Sequence, residues 1–271
     1  MTKITISLVQ MHIEPGKFSN NVAKAHHGIL EAGERGSDLV LLPELWSTGY
    51  DLKNSAHHAA QNTEFEAEIA AWCKRYNMWI GGSVLKKNPA GVQNMFQLHD
   101  PSGKIVSQYP KIHLFGLMNE DRYLKAGDRP VFARPPWGKT GLSICYDLRF
   151  PELFRVYAIS GCVLVLLSAE WPLRRISHWQ TLLKARAIEN QIFFAAANCV
   201  GAGGDETFGG YSVVINPWGE ICVEAGNNTE EIVTTRIDLK DVQRVQTTIP
   251  VLTDRCPKAY YFNPEAETSL D

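Results

Sequence analysis

Two hydrophobic periodicities alternate along the 271-residue chain. Residues 4–11 alternate apolar and polar positions as a strand does, whereas 20–35 sets Val22, Ala25, Ile29 and Leu30 at helical spacing before Gly36 and Ser37 end the run. Residues 38–42 form a short apolar run of the kind buried on both faces of a sheet, closed by Pro43. After a loop, 64–76 carries Phe65, Ile69, Ala70, Trp72 and Cys73 as a helical stripe, and 78–85 predicts a third strand. Residues 94–99 and 104–109 flank Asp100-Pro-Ser-Gly103, a turn signal, and so predict a hairpin that makes the sheet mixed.

The second half repeats this order. A strand runs up to Cys145, followed by helix 151–160, strand 163–168, helix 178–190 and strand 192–198. A hairpin over 211–216 and 221–225 turns at Pro217-Trp-Gly-Glu220, and 232–238 supplies a late strand. Two successive α/β halves with hairpins at corresponding places predict two mixed sheets packed face to face with helices outside, in a single domain over 1–271. Within it, 241–271 carries Pro250, Pro257 and Pro264 beside Tyr260, Tyr261 and Phe262, and reads as an extended C-terminal segment.

Composition narrows the class. With 45% hydrophobic and 21% charged residues and a net charge of −2, the chain is neither disordered nor suited to a polyanion, so nucleic acid is not an expected partner. No stretch approaches the roughly 20 apolar residues of a membrane span, and the start lacks a signal peptide's apolar core and cleavage site. A soluble, cytoplasmic protein is expected. The six cysteines show no Cys-x-x-Cys pair and read as reduced thiols, five of them buried and structural. His26-His27 and His57-His58 are adjacent pairs, not i, i+4 pairs; they read as exposed polar positions, and no metal or other cofactor is implied.

In α/β sheets the loops at strand C-termini build the sites. Glu44 follows Leu-Val-Leu-Leu-Pro, Lys111 follows Val-Ser-Gln-Tyr-Pro, and Cys145 follows Leu-Ser-Ile. Cys145 stands where the pattern turns from strand to helix, and a helix N-terminus favours thiolate over thiol. A carboxylate, an ammonium and a thiol suffice for metal-free acyl transfer as base, oxyanion stabiliser and nucleophile. Taken singly, Glu44 equally suits a helix cap or an ion pair with arginine, and Lys111 a solvated surface position. His113, two residues beyond Lys111 and on the same face of an extended segment, raises the rival of a Cys-His hydrolase, but the local signatures of those families are missing.

Three segments in order, Leu-Leu-Pro-Glu44-Leu-Trp-Ser-Thr-Gly-Tyr50, Tyr-Pro-Lys111-Ile-His-Leu-Phe115 and Ser-Ile-Cys145-Tyr-Asp-Leu-Arg-Phe-Pro-Glu152, resemble the signature segments of the carbon–nitrogen hydrolase (nitrilase) superfamily. The likeness runs through Gly81-Gly-Ser83, Asn94, Gly127-Asp128, Ala185-Arg-Ala-Ile-Glu-Asn190 and Val214-Ile-Asn-Pro-Trp-Gly219. It implies an αββα sandwich and a triad with Glu44 as general base, Lys111 as transition-state stabiliser and Cys145 as nucleophile. Glu120 matches a second glutamate that the family places near the lysine. The backbone N–H of Tyr146 would share the oxyanion with Lys111.

Cys145-Tyr-Asp-Leu-Arg-Phe-Pro-Glu152 and Ser168-Ala-Glu-Trp-Pro-Leu-Arg-Arg-Ile-Ser-His-Trp179 look most like the ω-amidase branch and its bacterial amidase relatives. That resemblance implies a small amide substrate, a dicarboxylate monoamide such as 2-oxoglutaramate or 2-oxosuccinamate. The alternatives are another aliphatic amidase, a carbamoylase or a nitrilase, or a nitrilase-fold interaction module without catalysis. A substrate carboxylate needs a cation, and bidentate capture is what arginine offers. Arg174 or Arg175 is expected there with Trp171 as an apolar wall, while Arg149 is expected to pair with Asp147 or Glu152. The family resemblance also implies a homodimer or larger homo-oligomer through 150–160 and 179–190.

Overall fold

The computed structural model describes residues 2–260 and has the expected four layers. Its strands are β1 (Lys3–Gln10), β2 (Leu39–Leu41), β3 (Trp79–Asn88), β4 (Gly91–His99), β5 (Ile105–Pro110), β6 (Phe132–Ala133), β7 (Thr140–Ile144), β8 (Leu164–Ala169), β9 (Phe193–Asn198), β10 (Val200–Gly203), β11 (Glu206–Gly209), β12 (Val213–Ile215), β13 (Ile221–Glu224) and β14 (Glu231–Asp238). The helices are α1 (Phe18–Glu34), α2 (Ser55–Glu64), α3 (Glu66–Tyr76), α4 (Glu120–Tyr123), α5 (Pro151–Ile159), α6 (Ile176–Asn190) and α7 (Lys240–Thr248). No helix among the described residues is long and apolar enough to cross a membrane.

The first sheet runs β14-β1-β2-β3-β4-β5 and the second β13-β12-β9-β8-β7-β6. In each, three central strands are parallel (β1, β2, β3 and β7, β8, β9) and the flanking strands antiparallel. The period of two explains how one strand serves two layers. Ile4, Ile6 and Leu8 of β1 join Leu39, Leu41, Phe96 and Leu98 against Leu142, Ile144, Leu164, Leu166 and Phe194 of the second sheet. Val9 and Met11 instead meet Ala25, Ile29, Ile69 and Trp72 under α1 and α3. Phe154, Tyr157, Trp179 and Leu183 of α5 and α6 cover the far side.

The structure departs from the sequence pattern in several places. The loop before residue 64 contains α2, whose Ser, Ala, His and Asn content gives no clear stripe. The segment from 241 onward is not extended at its start: Val242 and Val245 bury one side of α7, and only the part beyond Ile249 lacks a long helix. Tyr261 and Phe262 lie outside the described residues, while Tyr260 is exposed. His58 is buried, bonded to Asp51 at 2.8 Å, and His26 stacks on Trp72, so neither is the free surface group expected. All six cysteines are free thiols, but Cys222 and Cys256 are exposed.

Gly141 shows how tightly the second sheet is clamped. A Cβ there would sit 2.7 Å from the Tyr157 ring, which is fully buried and whose hydroxyl bonds the Leu142 carbonyl. Gly141→Ala is therefore expected to lose about 1–3 kcal/mol of stability through overpacking. A urea titration checks it by a lowered midpoint at unchanged slope.

Candidate active site

The carboxyl ends of the parallel strands of both sheets meet, and polar groups stitch them together. The Ser168 hydroxyl donates to the Leu42 carbonyl at 2.8 Å, and the Glu44 N–H reaches the Ala169 carbonyl at 3.4 Å. Glu44 lies just past β2, Lys111 just past β5, Glu120 at the start of α4 and Cys145 just past β7. Glu44, Lys111 and Glu120 have no exposed surface. Lys111 Nζ donates to Glu44 Oε1 at 2.8 Å and to Glu120 Oε2 at 2.7 Å.

Such burial is stable only because the charges are paired. Removing one partner of a buried ion pair costs about 3–5 kcal/mol. Burial alone would strip the Lys111 proton, but the Glu120 and Glu44 carboxylates outweigh it and hold the ammonium well above its ordinary pKa. Burial, and then the nearby Glu44 charge, raises Glu120 against the pull of Lys111. Glu44 is further held by Tyr50 Oη at 2.9 Å, Asn94 Nδ2 at 2.7 Å and the Glu170 N–H at 3.0 Å. Glu120 accepts from Tyr50, Asn94 and, at 2.6 Å, the Phe115 N–H.

Backbone strain collects at the same place. Leu45 (φ 43), Asn119 (φ 60) and Cys145 (φ 42) are non-glycine residues in the left-handed region, and each is, or adjoins, one of the reactive residues. Such positions cost of order 1–3 kcal/mol and persist only where surrounding structure imposes them. For Cys145 the imposing group is Asp147, which is fully buried. Its carboxylate accepts from the Ile144 N–H (2.9 Å), the Tyr109 hydroxyl (2.8 Å), and His113 through Nδ1 (2.8 Å) and N–H (3.2 Å). This one carboxylate ties the Lys111 segment to the Cys145 elbow. His113, stacked on Phe150, is committed to Asp147 rather than to the thiol.

The elbow differs from the expected helix start. Residues Cys145–Arg149 form a tight 3₁₀ turn, and α5 begins only at Pro151. No long helix dipole points at sulfur, and the thiol is not poised as thiolate. Burial first, then the Glu44 carboxylate by its charge and by a hydrogen bond with the thiol, pushes Cys145 well above its ordinary 9.0. The resting state is a thiol with the Glu44 carboxylate beside it.

Cys145 opens on a small cavity lined by Phe115, Tyr146, Arg149, Glu170, Trp171, Pro172 and Arg175. Arg175 lies over the Phe115 ring at 5.6 Å, with a buried Nη1 that has no hydrogen-bond partner among the described residues. Arg174 does not belong here: it points outward to an ion pair with Glu206. Arg149 does belong, contrary to the expected pairing with Asp147 or Glu152. Asp147 is occupied by Tyr109 and His113, and the Arg149 guanidinium lies 4.8 Å over Trp171 and donates to His178 Nδ1 at 3.3 Å. Burial, reinforced by the charge of Arg175, holds Arg149 below its ordinary pKa. Trp171, expected as an apolar wall, and Tyr146, expected for its backbone N–H, both line the cavity. Tyr50, Asn94 and Glu170 were not expected site residues, although all three lie within the segments that carry the resemblance.

Residues 5–247 match the model of the carbon-nitrogen hydrolase family. The chain belongs to the carbon–nitrogen hydrolase family. This hydrolase is 41% identical over 254 residues to the 2-oxoglutaramate amidase of Bacillus subtilis (strain 168), covering 93% of this chain and 97% of that one. It is 34% identical over 275 residues to human omega-amidase NIT2, covering 96% and 98%. A mutant amidase from Nesterenkonia sp. AN1, solved with the acetamide moiety of fluoroacetamide bound covalently at its active-site cysteine, superposes with a TM-score of 0.85 at 26% identity, covering 95% of each chain. The hydrolase is thus an amide-hydrolysing enzyme of nitrilase-superfamily fold.

Two outcomes test the site. Thiolate absorbance attributable to Cys145, taken as the difference between the unaltered protein and Cys145→Ser, is expected to be nil at neutral pH and to emerge only above pH 9.0, the ordinary thiol value. Tyr50→Phe, which removes a donor shared by Glu44 and Glu120, is expected to lower kcat about tenfold with its melting temperature little changed, a loss typical of one hydrogen bond to a charged group.

Proposed function

We propose that the chain hydrolyses the terminal amide of dicarboxylate monoamides, 2-oxoglutaramate or 2-oxosuccinamate among them, with Glu44 as general base, Lys111 as oxyanion stabiliser and Cys145 as nucleophile. Glu44 takes the Cys145 proton as sulfur attacks the amide carbon, which is how a thiol with a raised pKa becomes nucleophilic only when substrate is present. The developing oxyanion is met by the Lys111 ammonium and the Tyr146 backbone N–H. Glu44 returns the proton to the departing nitrogen, ammonia leaves, and a thioester remains. Water, deprotonated by Glu44, attacks the thioester; the carboxylic acid departs and the thiol is restored. Glu120 keeps Lys111 in place and charged throughout.

The observation that carries the substrate class is the pair Arg149 and Arg175, which share the cavity with Cys145 and pair with no carboxylate among the described residues. Two neighbouring guanidinium groups in a partly dry cavity fit a carboxylate at the far end of the substrate. The names of the Bacillus subtilis and human relatives agree with this reading. The proposal extends to a single domain over 1–271, cytoplasmic and homodimeric or of higher order. Val156 and Ile159 on α5 and Ile188 on α6 are exposed apolar residues on the layer expected to form the interface, and light scattering checks that assembly.

Ammonia release from a substrate panel decides the activity. Higher kcat/KM for 2-oxoglutaramate than for neutral amides, nitriles and carbamoyl compounds of similar size is expected; equal use of the neutral amides overturns the substrate assignment. Cys145→Ala and Glu44→Gln should each reduce kcat by about 10³-fold or more. Arg175→Met should raise KM roughly 10–100-fold with a smaller effect on kcat, the loss of one charge-assisted contact. Arg174→Met should change neither.

A further inference from the structure

Among the described residues seven buried side-chain polar atoms have no hydrogen-bond partner, and two of their side chains line the one small cavity at Cys145: Arg175, by Nη1, and Glu170, by Oε1. The arginine has a role in the reaction as proposed, whereas Glu170 has none. Its main chain is clamped between base and nucleophile. The Glu170 N–H donates to Glu44 Oε2 at 3.0 Å, and its carbonyl oxygen lies 3.8 Å from Cys145 Sγ as acceptor. Glu170 thus lines the cavity at that sulfur, with its Oε1 buried and unpaired among the described residues.

The charges around this carboxyl decide its form. Glu44 and Glu120 bear on it as like charges, and the ammonium of Lys111 already bridges those two. Its charge bears on Tyr50 and Cys199, both pushed up and so neutral, Cys145 is likewise held as a thiol, and neither Arg149 nor Arg175 forms an ion pair with it. An ionised Glu170 would be a third carboxylate set against one ammonium. Burial first, then Glu44, pushes it well above the ordinary 4.5. A buried carboxylic acid that keeps its proton is a hydrogen-bond donor, as a carboxylate is not.

Resting on the proposed hydrolysis of dicarboxylate monoamides, we propose that Glu170 is a specificity residue: it donates its hydroxyl hydrogen to an uncharged carbonyl oxygen on the acyl chain, between the scissile amide and the carboxylate held by the arginines. The site would then select 2-oxo acids over plain acids. Arginine reads the anion and the neutral acid reads the ketone. No covalent change occurs at Glu170.

The test compares 2-oxoglutaramate with glutaramate, which lacks the ketone, for the unaltered enzyme, Glu170→Gln and Glu170→Leu. Glutamine keeps the shape and a donor; leucine keeps only bulk. The expected result is about a tenfold loss of preference for the 2-oxo substrate in Glu170→Leu, seen chiefly in its KM relative to that of glutaramate, and the preference retained in Glu170→Gln. In the unaltered enzyme the preference should fall as rising pH removes the proton, and in Glu170→Gln it should be flat. Equal loss on both substrates in Glu170→Leu, an equally large loss of preference in Glu170→Gln, or a preference that grows with pH overturns the inference. Turnover of both substrates with an unchanged preference in Glu170→Leu overturns it alone. Turnover of neither by the unaltered enzyme overturns the substrate reading, and this inference with it.

Discussion

An ammonium with no exposed surface cannot exist in a protein interior unless anions are brought to it, and Lys111 sets that requirement for the whole site. Two carboxylates answer it from separate elements, Glu44 from the end of β2 and Glu120 from the start of α4. Tyr50 and Asn94 then reach Oε1 of both, and the Glu170 and Phe115 N–H groups donate to the second oxygens. This arrangement divides the chemistry. The positive charge is fixed in position before substrate arrives, which is where electrostatic stabilisation is most effective. The Cys145 thiol, by contrast, stays protonated beside the Glu44 carboxylate.

That cluster lies where two sheets join, so ordinary core packing holds it in register. Ile4, Ile6 and Leu8 press on the second sheet, and the Ser168 and Glu44 contacts fix the relative height of β2 and β8 at their ends. The strained backbone at Leu45, Asn119 and Cys145 is sustained by this scaffold. Asp147 supplies the most specific part of the restraint, since its four donors come from both the Lys111 segment and the elbow.

Much of this was legible in the sequence for physical reasons. Strand β2 is wholly apolar because both faces are buried, and its abrupt end marks Glu44; the two halves announce themselves by repeating one order of strands, helices and hairpins. The misses are equally physical. Arg149 sits two and three residues from Asp147 and Glu152, but proximity along the chain does not reveal that Asp147 is already saturated by β5 and His113. Arg174 and Arg175 are neighbours in sequence, yet the turn before α6 sends one outward to Glu206 and the other over Phe115. Glu170 carries no periodic signature: only its packing against Glu44 and Cys145 gives it meaning. At the elbow the strand-to-helix change of pattern was real, but the intervening 3₁₀ turn removes the helix dipole from sulfur.

The placement of Glu44 and Cys145 on opposite sheets has a consequence for the life of the chain before it is finished. Residues through Glu120 hold both carboxylates and the ammonium, and the thiol arrives only with β7, after the first sheet's central strands have been made. Neither half alone brings the two groups together. In a nascent or partly unfolded chain Cys145 is parted from Glu44, and on the proposed mechanism a thioester can form only once the sheets dock. The pairing of the two groups thus reports on correct docking, since a sheet displaced by a single residue, about 3.3 Å, would part Cys145 from Glu44.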